Sequence, residues 1–164
     1  GGKIWNYSFN RGAISVAGQL LGLAQRMLDL SVEYSQQRKQ FGKEIGSFQA
    51  VKHQLADVAG KIEIAKPVLY RAACSLENHH PLSDMHISQA RNFCSDAAAL
   101  AARAGIQVHG AMGYTWEVDL QMYVKRAWAL NNTWGDSIMH RARVQDYVLN
   151  SDIDHAPSNT FEAV

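Results

Sequence analysis

Apolar residues recur at steps of three and four in two long segments, from about Asn10 to Gln37 and from about Glu44 to Glu77, and this period commits most of the chain to helices. In the first segment Ile14, Ala17, Leu21, Ala24 and Leu28 form one stripe, with Leu20, Leu23, Met27, Leu30 and Tyr34 beside it. A helix apolar over that much of its girth is expected to touch neighbours on two sides. The second carries Ile45, Phe48, Val51, Leu55, Val58, Ile62, Ala65, Leu69 and Ala72, with Pro67 inside it. Proline removes a helical donor, so a kink is expected near Lys66. Between the segments lies Tyr34–Gln49, a polar connection in which Arg38, Gln40 and Phe41 sit together and Gly42 suits the end of a turn. A guanidinium, an amide and an aromatic ring held between two rigid helices suit a flat anionic ligand.

Downstream, Asn78 to Asp84 reads as a break, with Ser83 or Asp84 placed to cap a third helix over about Met85–Val108. Its stripe of Ile87, Ala90, Cys94, Ala97, Ala101, Ala104 and Val108 is made of small residues that admit a close neighbour. A second glycine-bearing loop, His109–Thr115, precedes a shorter helix from about Glu117 to Leu130 with Val118, Leu120, Tyr123, Val124, Ala127 and Leu130 as its buried side. A last helix, from Trp134 or Asp136 to Leu149, offers Ile138, Met139, Ala142, Val144 and Val148. Residues 1–9 read as an extended lead-in, 10–150 as the bundle and 151–164 as a polar tail. The expected class is all-α, an up-and-down four-helix bundle with a short extra helix.

With 164 residues, 47% of them hydrophobic, the chain can bury one substantial core. A net charge of +1, with both signs interspersed, provides no basic field for nucleic acid or an anionic membrane. No apolar run is long enough for a membrane span and no signal-peptide pattern opens the chain, so a cytoplasmic protein with Cys74 and Cys94 as reduced, buried thiols is expected. The opening Gly1-Gly2 reads as a cleavage scar or an engineered start, which points to a piece of a longer protein.

Di-iron bundles need Glu-x-x-His on two helices, and only Glu77 with His80 has that spacing, so no metal site is expected. The seven histidines read as surface or helix-end residues. Neither cysteine sits in an electropositive context, no serine elbow occurs, and Gly110–Gly113 does not follow a strand, which excludes a Rossmann site.

The stretch Tyr34 to Asp57, Y-x-x-x-R-x-Q-F-G-x-x-I-x-x-F-Q-x-V-x-x-x-L-A-D, closely resembles the signature of the acyl-CoA dehydrogenases in their C-terminal helical domain. Gln107 to Tyr114 is similar to their Q-x-x-G-G-x-G-[YF] segment, and Lys125-Arg126-Ala127 sits where they carry an R-D-A-type run. The likeness covers Phe9 to Leu149. It implies FAD as cofactor and oxidation of an acyl-CoA thioester to the trans-2-enoyl-CoA, with a glutamate taking the α-proton and an electron-transfer flavoprotein as electron acceptor. It further implies that Arg38 holds the FAD pyrophosphate with Gln40 and Phe41 beside it, and that Gln107, Gly110 and Ala111 approach a neighbouring subunit's FAD across an oligomer interface. The blander alternative has Phe41 and Phe48 plugging the bundle end and Arg38 paired with Glu33 or Glu44, in an assembly module that has lost flavin.

Three departures from the family pattern matter. The family's N-terminal helical and middle β domains have no counterpart here, so the chain alone is not expected to turn over substrate. The usual glutamate position is taken by Trp134 of Thr133-Trp134-Gly135-Asp136, leaving Asp136 as the candidate for a displaced base. The family's other seat for the base, in an F-x-x-E-R pattern, reads Phe9-Asn10-Arg11-Gly12-Ala13. This double absence resembles actinobacterial dehydrogenases that shorten steroid side chains, built from two unlike subunits, and implies a hetero-oligomer in which a partner supplies the glutamate.

Overall fold

In the computed structural model, which describes residues 2–151, the chain forms five α-helices joined by short connections. They are α1 (Gly2–Gln37), α2 (Gln49–Glu77), α3 (Ser83–His109), α4 (Leu120–Leu130) and α5 (Ser137–Asn150). Between α1 and α2 the chain makes a hairpin of two-residue strands, β1 (Lys39–Gln40) and β2 (Lys43–Glu44), the one place among the described residues where strand pairing enters an otherwise helical reading. The 151–164 tail lies, beyond Ser151, outside the described residues.

Because α2 returns antiparallel to α1 and α3 antiparallel to α2, α1 and α3 run parallel. Asn6 and Asn10 near the start of α1 reach Asp84 at the start of α3, and Tyr34 near the end of α1 stacks on His109 at the end of α3 with ring centroids 4.2 Å apart. The core between them is built from small residues. Ala13, Ala17 and Ala24 of α1 are fully buried, as are Ala90, Ala97 and Ala102 of α3, while Leu20, Met27, Val58, Ile62 and Leu120 fill the remaining space. Small side chains allow backbones to approach closely. At Gly105 an added Cβ would sit 3.1 Å from the Leu120 side chain and 3.2 Å from Ser31 Oγ, so α1, α3 and α4 meet closely there and a methyl group would fit only if these neighbours gave by a few tenths of an ångström.

Several expectations need correction. Residues 2–9 are helical, not an extended lead-in: α1 continues back to Gly2, and Phe9 is buried on the same face as Ala13. The alternating Trp5, Tyr7 and Phe9 suggested a strand, yet Trp5 and Tyr7 are exposed and only Phe9 faces the bundle. α2 is continuous through Pro67, an exposed residue, so the kink expected near Lys66 would fall inside one helix and not between two. α3 begins with Leu82 in the capping position and no side-chain cap, because Asp84 is engaged elsewhere, accepting from Asn6 and Asn10 and pairing with Arg143 at 3.4 Å. α4 starts at Leu120, three residues later than the expected Glu117.

The last helix departs furthest from its pattern. Ile138, Met139 and Val148 are exposed, and the side chain that α5 buries is His140. His86 and His109 are buried as well, His109 at the helix end expected for it, so His86 and His140 depart from the surface or helix-end reading. Cys94 is buried and its thiol is pushed up to about 12 by desolvation, whereas Cys74, expected in the core, is exposed. Among the described residues no helix is long and apolar enough to cross a membrane, and no group of three or more His, Cys, Asp or Glu is placed to hold a metal ion.

Arg91, fully buried on α3, organises the connection between α4 and α5. One guanidinium nitrogen donates to the carbonyls of Leu130 and Asn131 at 3.0 Å and of Thr133 and Gly135 at 3.3 Å, while the other donates to Ser95 Oγ. A charge taken from water is tolerated only with such partners. Replacing Arg91 by Met removes a shared donor from the four carbonyls, of which only that of Leu130 keeps others, from Thr133, so urea unfolding is expected to show a loss of about 3 kcal/mol or more; a change within experimental error would contradict this role. Burial also holds His86 and His140 at about 4, below the ordinary 6.5. The unfolded rings take up protons first as pH falls, so the stability the two neutral rings confer is complete above about 6.5 and disappears by about 4. Unfolding free energy measured across that window is expected to drop by on the order of 3 kcal/mol per ring, with a shallower slope in His140→Gln.

Candidate functional site

Two groups of residues singled out in the sequence meet at one end of the bundle, because α1 and α3 run parallel and finish together. At the end of α1, Phe41 (φ 53°) and Gly42 (φ 79°) form the two-residue turn of the β1–β2 hairpin, with Lys39 opposite Glu44 and Gln40 opposite Lys43. Two successive residues at positive φ are the geometry that short hairpins favour, and glycine meets it at no cost while phenylalanine does not. The Phe41 ring does not plug the bundle. It is 92% exposed and touches Phe48 only edge-on, at 6.2 Å between centroids.

The hairpin is anchored by its backbone: Arg38 N–H donates to the Tyr34 carbonyl, and the Arg38 carbonyl accepts from Ile45 N–H, both at 2.9 Å. Its side chain points into solvent and pairs with neither Glu33 nor Glu44; among the described residues it has no ion-pair or hydrogen-bond partner. At the end of α3, Gln107 is exposed, and Gly110 at φ 60° turns the chain into a short 3-10 segment, Gly110–Tyr114, on which Ala111 is exposed. His109 ties the two ends together. It stacks on Tyr34 and donates from Nδ1 to the Gly105 carbonyl at 2.8 Å, and burial lowers its pKa. This end therefore presents a free guanidinium, the amides of Gln40 and Gln107, an exposed ring and a glycine-bearing turn. Such a surface can bind a planar or phosphate-bearing anion.

The second region, at the start of α1, concerns the residues named as seats for a base. Trp134 (φ 55°) and Gly135 (φ 89°) lie in the left-handed region, held there by Arg91 and by His140, whose Nε2 donates to the Trp134 carbonyl at 2.9 Å while Nδ1 meets Ser88 Oγ at 3.1 Å. The Trp134 indole then lies directly on Gly12. A Cβ added there would be 2.2 Å from indole Cδ2, so only glycine admits this contact. Phe9 packs edge-on to the same indole, at 6.4 Å. Asp136 is the side-chain cap of α5, its Oδ1 accepting the Met139 N–H at 2.8 Å. Sequence reading named Gly12 and Trp134 separately and missed their contact. It also missed Arg91 and His140, although a charged residue in register with Ile87 and Cys94 on a buried stripe was the available signal.

The family described as acyl-CoA dehydrogenase, C-terminal domain, matches residues 1–149. The acyl-CoA dehydrogenase IpdE2 of Mycobacterium tuberculosis is 43% identical over 115 residues, 70% of this chain and 34% of that protein. The chain thus spans about a third of the length of this relative. Butyryl-CoA dehydrogenase from Megasphaera elsdenii superposes with a TM-score of 0.86 and 32% identity over 91% of this chain and 39% of that one. The steroid ACAD Tcur3481–Tcur3483 does so with 0.78 and 26% over 83% and 37%. A match across nearly all of the chain, on a bundle with this helix order, places the protein in a family: it belongs to the acyl-CoA dehydrogenases, as their C-terminal domain.

Proposed function

We propose that this chain is the helical part of an FAD-dependent acyl-CoA dehydrogenase subunit, that it lends one end to a neighbouring subunit's cofactor, and that the base for that enzyme's reaction comes from a different chain. The observation that carries the first half is the joint placement of Arg38, Gln40, Phe41, Gln107, Gly110 and Ala111 at one end of the bundle, exposed, with the Arg38 guanidinium unpaired. These groups fit the diphosphate and adenosine portion of FAD: a planar cationic fork for the two phosphates, amides for hydroxyl groups and a glycine turn that permits close approach. When bound, FAD supplies the acceptor for the two electrons removed from the acyl thioester. The chain's own residues bind, orient and shield; Arg38 anchors charge, and the hairpin and α3 terminus set where that charge sits.

Arg38 and Gly12 lie 26 residues apart on or beside one helix. At about 1.5 Å per residue this is roughly 39 Å, longer than an extended dinucleotide, so one subunit's two ends serve two different flavins. This supports assembly through the bundle, as a homo- or hetero-oligomer. The second half rests on the indole of Trp134 filling the space over Gly12, which leaves both seats without a carboxylate. Asp136 is a poor substitute, since its carboxylate caps α5. The likeness to a steroid ACAD supports a bulky, steroid-derived acyl-CoA as the substrate class, with an electron-transfer flavoprotein as the acceptor in turn.

Visible spectra of the whole subunit, purified alone and after co-expression with a glutamate-bearing homologue, test the arrangement. Flavin bands confined to the co-purified sample are expected; flavin in the lone subunit that bleaches with an acyl-CoA would overturn it. Arg38→Ala is expected to weaken flavin retention by roughly 10- to 100-fold, the effect of losing a charge-assisted contact worth about 1.5–3 kcal/mol, whereas a flavin-free scaffold would be indifferent. For the Gly12–Trp134 contact, Gly12→Ala is expected to cost about 1–3 kcal/mol through overpacking. In the Trp134→Ala background the same change is expected to cost far less, and simple additivity in that double-mutant cycle would refute the contact.

A further inference from the structure

A cavity of about 420 Å³ opens near the start of α3, at the opposite end of α3 from the proposed flavin contacts, lined by Arg71, Cys74, Ser75, Asn78, His80 and His86. Among the described residues its charged and titratable side chains, Cys74 apart, are all nitrogen bases, and no carboxylate lines it. His86 is 2% exposed, and its Nε2 has no hydrogen-bond partner among the described residues. Its other nitrogen, Nδ1, lies 2.8 Å from Ser75 Oγ. Among the described residues that contact is the one hydrogen bond of the Ser75 hydroxyl; with the hydroxyl donating to Nδ1, the ring proton of neutral His86 sits on Nε2.

His80 reaches the same tautomer by another route. Leu82 N–H donates to His80 Nδ1 at 3.0 Å, which leaves Nε2 as the protonated nitrogen. The two rings are 5.3 Å apart between centroids, tilted by 36°. The exposed Arg71 guanidinium has no ion pair among the described residues, and its positive charge adds to the larger effect of burial in lowering the pKa of His86. The remaining amide is spoken for, Asn78 Nδ2 donating to the Cys74 carbonyl at 2.9 Å. One cavity thus collects two imidazole N–H donors and a guanidinium, one donor being buried and unanswered. A buried donor without an acceptor is costly, and a fork of N–H groups with no competing carboxylate matches a tetrahedral oxyanion.

We infer that this cavity is a binding site for a phosphate group, held between Arg71 and the Nε2–H groups of His80 and His86. Its volume leaves room for the body of a small phosphomonoester as well as for free phosphate. The site is independent of the flavin reading, and either can fail without the other.

The test is a titration of histidine-labelled, whole protein at neutral pH, following the ring nitrogens by NMR as inorganic phosphate or glycerol 3-phosphate is added against chloride at matched ionic strength. Saturable shifts of the His80 and His86 Nε2 signals are expected, weakened roughly tenfold or more in Arg71→Met, whose exposed side chain can be changed without touching the core. The same shifts are expected to persist in Arg38→Ala, which separates this cavity from the other anion-binding end. Binding of both ligands supports a phosphomonoester, and binding of inorganic phosphate alone supports the free ion. Absence of saturable shifts, or an affinity unchanged in Arg71→Met, overturns the assignment.

Discussion

The buried guanidinium of Arg91 fixes the part of this protein that its helices alone would leave undefined. Four carbonyls, spread over Leu130, Asn131, Thr133 and Gly135, converge on one of its nitrogens. Two of them stand at the C-terminal end of α4, where unpaired carbonyls carry the negative pole of the helix and favour a cation. Desolvation works against this charge and depresses its pKa. The multiplicity of acceptors offsets that penalty, and the result is a connection with one shape in place of a mobile turn. Trp134 can then remain in a left-handed conformation that costs on the order of 1–3 kcal/mol for a residue of its kind.

From that fixed loop the rest of the lower end follows. His140, neutral and buried, donates to the Trp134 carbonyl and packs against Phe9 at 5.6 Å, so α1, α3 and α5 share one polar hub beneath the indole. Arg143 adds a second tie, donating to Asn10 and pairing with Asp84. An indole seated on a glycine is a complementary pair, the ring taking the space that the absent side chain leaves. A glutamate at position 12 would strike the indole, since no Cβ fits under it.

The upper end has a different logic. It is assembled from exposed groups, with the Arg38 side chain lacking a partner among the described residues, which is the character the flavin contact proposed above requires. The tight α1–α3 packing through alanines and the Tyr34–His109 stack bring these groups into register without using their functional atoms. Rigidity comes from the buried face and binding capacity from the solvent face of the same two helices.

Periodicity by itself determined the three long helices, their alanine-rich seam and the position of the Tyr34–Gln49 connection, because burial of one helix face leaves a regular trace in the order of residues. The residue pattern of that connection likewise revealed the family. Tertiary structure alone decided the remainder. Residues 2–9 became helix because Phe9 finds a pocket among Ala72, Ile87 and Ala90 from other elements. The last helix turned on His140 in place of its aliphatic residues, since the hydrogen-bond partners that make a buried imidazole acceptable lie 6 and 52 positions away. The contact of Trp134 with Gly12, and the grip of Arg91 on four carbonyls some 40 residues downstream, carry no periodic signature. Such contacts depend on which atoms the completed bundle brings together, and that is a property of three dimensions.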